Sequence, residues 1–168
     1  MRGVGPPMSG KLNVSKALAE EVVRSFGEVR LRVFGTSMVP SILPGDLISI
    51  QRANLNEISL GEIILFAQDG RLFVHRVVSR VRGLDTSCLI TRGDRLGHDD
   101  PAVLPSHFLG RVTCIERGHQ QFEPASLAKG WKRLILRVLR CSDLATYAYL
   151  RLAAHWRTRF PRRAECQL

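Results

Sequence analysis

The sequence predicts a mainly β fold, with a short N-terminal helix before the β domain and a basic helical tail after it. Residues 29–112 contain short apolar runs separated by Gly, Pro and Asp-Gly, which is typical of strands joined by tight turns. From residue 124 onward, apolar and aromatic residues recur at helical spacing. We therefore expect an N-terminal segment over residues 1–27, a domain over residues 28–118 and a tail over residues 124–168.

The N-terminal helix is expected over residues 15–27, where Ser15 is a suitable N-cap and Gly27 a suitable stop. Leu18, Val22 and Phe26 share one face, and we expect this face to pack on the domain. No stretch of the chain contains the ~20 consecutive apolar residues that a membrane span requires. We therefore expect no signal peptide or transmembrane anchor, and a cytoplasmic or peripheral membrane location.

The first two strands enclose a loop that contains a candidate nucleophile. Residues 28–33 alternate between polar and apolar side chains, and residues 47–50 form a second apolar run. Between them lies the sequence Gly-Thr-Ser-Met-Val-Pro-Ser-Ile-Leu-Pro-Gly-Asp, whose first serine is Ser37. A small hydroxyl on a tight turn between strands is well placed for nucleophilic attack. Serine also favours turns for backbone reasons alone, so the loop by itself leaves both interpretations open.

A serine hydroxyl needs a base, and the next hairpin contains a candidate. Residues 61–66 form an apolar strand, Asp69-Gly70 is a hairpin turn signal, and residues 72–78 return as a second strand. His75 lies within this returning strand. A lone histidine of this kind is more often a core residue that bonds to a backbone carbonyl.

The next cluster is acidic. Residues 91–100 form a Gly-rich loop that contains Asp94, Asp99 and Asp100, and any of these carboxylates could orient an imidazole. They could equally belong to a solvated turn or pair with nearby arginines. Residues 108–115 are expected to form the strand that closes the fold.

Taken together, these segments resemble the type I signal peptidases of the archaeal and endoplasmic-reticulum branch, over roughly residues 33–112. The matching motifs are Ser-Met-x-Pro followed by Gly-Asp, Gly-Glu-Ile-Ile-Leu-Phe, Val-His-Arg-Val-Val and Arg-Gly-Asp-(four residues)-Asp-Asp. The resemblance implies a signal-peptidase/LexA-like catalytic β-fold, signal-peptide processing as the family's activity, and no cofactor or metal. It implies that Ser37 is the nucleophile, His75 the general base and Asp100 the residue that orients the histidine. Asp94 and Asp99 would be supporting acidic residues.

The oxyanion site departs from that family's pattern. The family usually has Ser-Gly-Ser before the methionine, and its first serine helps to bind the oxyanion, whereas this chain has Gly35 there. Losing one such donor typically costs about 100-fold in rate, so the backbone around Ser37 and Met38 would have to contribute more.

Gly-Thr-Ser-Met is also similar to the Gly-x-Ser-Met of LexA-type repressors and UmuD-like proteins, which share the fold and cleave themselves with a lysine base. None of the lysines lies between Ser37 and Asp100, which makes a Ser/Lys pair hard to build. The lysines of the chain are Lys11, Lys16, Lys129 and Lys132.

Three functions therefore remain in view. The first is a serine endopeptidase that cleaves peptides or proteins through an acyl-enzyme on Ser37. The second is a self-cleaving regulatory protein, and the third is a non-catalytic binding module of the same fold. For an endopeptidase, we expect the substrate to pair as an added strand along a sheet edge.

The tail contains most of the chain's excess charge. Ten Lys and Arg but only two acidic residues follow Glu123, and the difference of +8 accounts for most of the formal +10. A basic amphipathic helix with tryptophan can lie in an anionic membrane interface, and it can equally pack on the domain with a solvated basic face. Nucleic acid is the least favoured partner, because no recognition motif is present. The four cysteines show no paired metal-ligand spacing.

Overall fold

The computed structural model of the protein describes residues 21, 23, 25–83, 87–124 and 146–152. Within these residues it contains a seven-stranded antiparallel sheet, which confirms the predicted mainly β fold. The strands are β1 (Glu28–Arg32), β2 (Leu47–Gln51), β3 (Ile63–Gln68), β4 (Arg71–Arg82), β5 (Ser87–Arg92), β6 (Phe108–Arg117) and β7 (Gln120–Phe122). Their order is β1-β2-β6-β3-β4-β5, and β7 pairs with β6.

Each face of the sheet packs against its own buried apolar cluster, and β3 contributes to both clusters. Ile63 and Leu65 belong to one cluster, while Ile64 and Phe66 belong to the other, because successive side chains of a strand point to opposite faces. This placement explains why β3 is a continuous apolar run rather than an alternating one. The short 3-10 helix Leu55–Glu57 adds Leu55 to the second cluster.

Two strands of the sheet were not expected from the sequence. The end of β5 falls on residues that we assigned to the acidic loop, and β7 is three exposed residues with no apolar pattern. The predicted hairpin turn is confirmed: Asp69 and Gly70 have φ values of 49° and 72° and join β3 to β4.

The N-terminal helix is described only at its end. Residues 21, 23, 25 and 26 are helical, and Gly27 ends the helix at a φ of 72° while its N–H donates to the Val23 carbonyl at 3.1 Å. Val23 is buried, but Phe26 is 80% exposed. The expectation that Phe26 packs inward is therefore wrong, because the chain turns into β1 directly after it. Leu18 and Val22 lie outside the described residues.

One part of the predicted tail is described. Residues 146–152 are helical, and Tyr149 and Leu150 pack against Val39 and Leu43, which lie between β1 and β2. The remainder of the predicted tail helices, including the one expected after residue 124, lies outside the described residues. Within the described ranges, no helix combines the length and apolar character needed to cross a bilayer.

Candidate active site

Ser37 lies in the connection between β1 and β2, and we call residues 36–46 of this connection the nucleophile loop. The loop begins with a turn in which the Val39 N–H donates to the Thr36 carbonyl at 3.2 Å, and the Ile42 N–H then donates to the Met38 carbonyl at 3.0 Å. The Met38 side chain is only 2% exposed and lies in the first core cluster. Met38 therefore anchors the loop, and only its backbone is available to the site.

His75 lies in the middle of β4, opposite Ile64 of β3. Its ring is buried against the rings of Phe66 and Phe73, at centroid distances of 6.0 and 5.9 Å. The Nε2 atom of His75 is 2.9 Å from the Oγ atom of Ser37. The structure thus brings together the serine and the histidine that the sequence predicted as nucleophile and base.

Asp100 approaches His75 from the other side of the ring. Its Oδ2 atom is 2.6 Å from His75 Nδ1 and also accepts a hydrogen bond from the Thr91 hydroxyl at 2.7 Å. The Asp100 N–H donates to the Thr91 carbonyl at 2.8 Å, which fixes the backbone of the same residue. The His75 tautomer that carries its proton on Nδ1 would donate to Asp100 and accept from the Ser37 hydroxyl at Nε2.

The other two predicted carboxylates have different partners. Asp94 is buried and accepts a bidentate pair from Arg76, Nε at 2.8 Å and Nη2 at 2.7 Å. The Ser41 hydroxyl also donates to Asp94, and Arg76 Nη1 donates to the Gly61 carbonyl at 2.8 Å. Asp94 therefore joins the nucleophile loop to β4.

Asp99 lies at the surface and pairs with Arg92, whose Nε donates at 2.5 Å. This hydrogen bond lowers the pKa of the Asp99 carboxyl, and the same bond raises the pKa of Arg92. Of the three candidate carboxylates, Asp100 is the one whose contacts in the described structure include His75.

The positions beside the serine differ in how much space they leave. A Cβ atom added at Gly35 would meet nothing within 4 Å, so the missing family serine leaves open space next to the nucleophile. A Cβ atom added at Gly93 would lie 2.9 Å from the Ser37 carbonyl oxygen. Arg95 donates its N–H to that same oxygen at 2.8 Å. The acidic loop therefore approaches the serine backbone closely, and Gly93 permits the approach.

The sequence did not predict a second ion pair at the nucleophile loop, in which a buried Asp46 pairs with a half-buried Arg117. Asp46 is 1% exposed and accepts from the Leu43 N–H and from Arg117 Nη2, both at 2.7 Å. The Arg117 Nη2 also donates to the Ser41 carbonyl at 3.3 Å. A signal for one missed residue was available: Arg76 is a charged residue within an apolar strand, and such a residue needs a buried partner. Thr91 and Arg117 gave no comparable signal.

In chemical terms, the site consists of a serine hydroxyl hydrogen-bonded to an imidazole, which is in turn oriented by a carboxylate. Among the residues that the structure describes, no group of three or more His, Cys, Asp and Glu could hold a metal ion. The described cysteines, Cys88 and Cys114, are free thiols. The catalytic roles of Ser37, His75 and Asp100 remain predictions.

Comparison with known proteins gives a match to one family model. A family model described as Peptidase S24-like matches residues 5–85, slightly less than half of the chain. The matched range includes Ser37 and His75 but ends before Asp100. No curated protein matches the chain significantly. Over these residues the chain is similar to S24-like peptidases, and this likeness is not specific to the type I signal peptidases.

Proposed function

We propose that this protein is a serine endopeptidase in which Ser37 is the nucleophile, His75 the general base and Asp100 the residue that orients the imidazole. The observation that supports this proposal most directly is the continuous chain of contacts from Ser37 Oγ to His75 Nε2 at 2.9 Å and from His75 Nδ1 to Asp100 Oδ2 at 2.6 Å. The first distance suits proton transfer from the hydroxyl to a positioned base, and the second suits a hydrogen bond that orients the imidazole. The likeness to S24 peptidases supports the same class of reaction.

In the proposed reaction, Ser37 Oγ attacks the carbonyl carbon of a peptide bond while His75 Nε2 takes the hydroxyl proton. The imidazolium then gives this proton to the leaving amine as the C–N bond breaks, which leaves an ester on Ser37. Water attacks the ester with His75 again acting as the base, and hydrolysis releases the carboxylic acid and restores Ser37. Asp100 stays ionised throughout and stabilises the imidazolium.

The choice of base separates this proposal from the lysine chemistry of LexA-type proteins. The lysines of the chain all lie before residue 17 or after residue 128. His75 lies within hydrogen-bonding distance of the Ser37 hydroxyl. Both observations support a Ser/His pair.

For substrate binding, we propose that an extended peptide pairs beside the end of β1. In the described sheet β1 is an edge strand, and it leads directly into the loop that contains Ser37. Phe34, on this connection, is 83% exposed, and the space at Gly35 is open. Main-chain pairing along an edge accepts varied sequences, which suits an endopeptidase. A preference for small residues next to the cleaved bond follows only from the resemblance to signal peptidases.

A second candidate function is self-cleavage, which the similarity of Gly-Thr-Ser-Met to the motif of the self-cleaving LexA-type proteins supports. A protein that cleaves itself in cis would show one cut per molecule at a rate independent of protein concentration. A non-catalytic binding module of the same fold would show no serine-dependent cut in any substrate.

Intact-mass spectrometry separates these functions. The full-length protein and its Ser37→Ala variant are incubated alone and with a peptide library that includes secretory signal sequences, and Ser59→Ala, an exposed serine elsewhere, is the matched control. We expect multiple-turnover cuts with the unmodified protein and with Ser59→Ala, and none with Ser37→Ala. Serine-dependent loss of a fragment from the protein alone would favour self-cleavage, and equal behaviour of all three proteins would contradict a serine peptidase.

A further inference from the structure

We infer that helical residues 146–152 position the nucleophile loop for catalysis, and we call these residues the C-terminal helix. The inference rests on the proposed function for its effect on rate, but the contact itself does not. The inference gives a positioning role to a segment that lies far from Ser37, His75 and Asp100 along the chain. The residues that would act are Tyr149 and Leu150, through Val39 and Leu43 of the loop.

The contact is a small apolar cluster separate from the two clusters of the sheet. Val39 is 0% and Leu43 2% exposed, and Tyr149 and Leu150 pack against them. Thr146, one helical turn before Leu150, is also buried. The inner face of the C-terminal helix therefore covers the two apolar side chains of the nucleophile loop that do not join the sheet core.

The opposite face of the same helix is open. Tyr147 is 57% and Leu152 59% exposed, and the Arg151 side chain lies over the Tyr147 ring and donates from Nε to its hydroxyl at 3.0 Å. The helix is thus two-sided within the described residues, with one face against the loop and the other toward solvent. Leu150 on the inner face and Leu152 on the exposed face can therefore be compared by the same substitution.

The position of Val39 explains how this contact reaches the nucleophile. Val39 closes the turn around Ser37 by donating its N–H to the Thr36 carbonyl. Other contacts fix the loop at Met38 in the core and at Ser41 and Asp46 through ion-pair networks. The C-terminal helix supports the remaining apolar side of the loop. Because a displacement of about 1 Å at a reacting group can cost about 100-fold in rate, a loosened loop would slow the chemical step.

The test compares Leu150→Ala with Leu152→Ala, which make the same change on opposite faces of one helix. Peptide cleavage gives kcat and KM, and hydrogen exchange gives the protection of the Ile42 and Leu43 amides, which donate to Met38 O and to the Asp46 carboxylate. For Leu150→Ala we expect about tenfold lower kcat, little change in KM and faster exchange at these amides, with β3 amides unchanged. Leu150→Met should restore both readouts, and Leu152→Ala should match the unmodified protein.

The two readouts keep this inference separate from the proposed function. If the unmodified protein shows no Ser37-dependent cleavage, the proposed function fails, and loop exchange alone still decides whether the helix positions the loop. Equal kcat and equal loop exchange for the two alanine variants would overturn the inference. Should Leu150→Ala not fold, the milder pair Leu150→Val and Leu152→Val replaces it, with the same expectations and the same contradicting result.

Discussion

Asp99 and Asp100 are neighbours in the chain whose carboxylates contact different partners. Asp100 bonds to His75 and Thr91 inside the site, whereas Asp99 bonds to Arg92 at the surface. The difference arises at the end of β5, where Thr91 receives the Asp100 backbone N–H. The pair therefore offers an internal control for the role of the orienting carboxylate.

We predict that Asp100→Asn lowers kcat by about 10,000-fold while leaving the fold intact, because an amide at this position favours the wrong imidazole tautomer. Asp99→Asn should stay close to the unmodified protein. Steady-state peptide cleavage measures both variants, and circular dichroism checks that each is folded. Comparable losses in the two variants would mean that the orienting residue has been assigned incorrectly.

Gly35 is the residue at which the oxyanion site can be rebuilt. We predict that Gly35→Ser raises kcat, by at most about 100-fold, which is the typical contribution of one oxyanion donor. The added hydroxyl has open space beside Ser37 in which to act as that donor. Gly97→Ser, another glycine with open space, is the control and should not change the rate. Peptide cleavage rates decide the matter, and an unchanged or lower rate in Gly35→Ser would argue against a donor role at this position.

At the scale of elements, the site is assembled where three segments meet: the nucleophile loop, strand β4 and the loop after β5. The buried Arg76–Asp94 pair links all three, because Arg76 follows His75 in β4 and Asp94 also accepts from Ser41. A guanidinium at this depth depends on its carboxylate partner. The pair therefore stabilises the mutual positions of nucleophile and base.

We predict that Asp94→Asn lowers the free energy of unfolding by about 3 kcal/mol, since it leaves a buried positive charge without its counterion. Glu116→Gln, which breaks the exposed Arg30–Glu116 pair, should cost less than about 1 kcal/mol. Urea denaturation measures both variants. Equal stabilities would show that the buried pair does not contribute as the structure implies.

The elements also show which features the sequence could predict. Strand β1 alternates and the β3–β4 hairpin has an Asp-Gly turn, so these elements follow from local pattern. The partners Asp94 for Arg76 and Arg117 for Asp46 depend on strands that meet only after folding. Local pattern contains no information about such pairs. The choice of Asp100 among three nearby carboxylates came from a family resemblance for the same reason.

At the scale of the whole molecule, charge is distributed unevenly along the chain, with a net +8 after Glu123. The described part of this region packs its inner face on the nucleophile loop and exposes Tyr147, Arg151 and Leu152. The tail can therefore pack on the domain through one face while its other face remains available to contact a membrane. We propose peripheral contact of this basic region with an anionic membrane surface.

We predict that the full-length protein binds vesicles containing anionic lipid, binds neutral vesicles much more weakly, and dissociates as the salt concentration rises. Vesicle co-sedimentation measures this binding. Charge reversal at Arg151, which lies on the exposed face, should weaken it, while Arg30→Glu on the sheet should not. Equal binding to neutral and anionic vesicles, or none to either, would rule out the electrostatic contact.

The most direct test of the central claim is a kinetic cycle on Ser37→Ala, His75→Ala and the double variant, with kcat/KM measured on one cleaved peptide. Residues that act as one catalytic unit are strongly non-additive. We predict that each single variant falls nearly to background and that the double variant falls no further. Near-normal cleavage by either single variant, or losses that add in the double variant, would contradict the assignment of Ser37 and His75 as nucleophile and base.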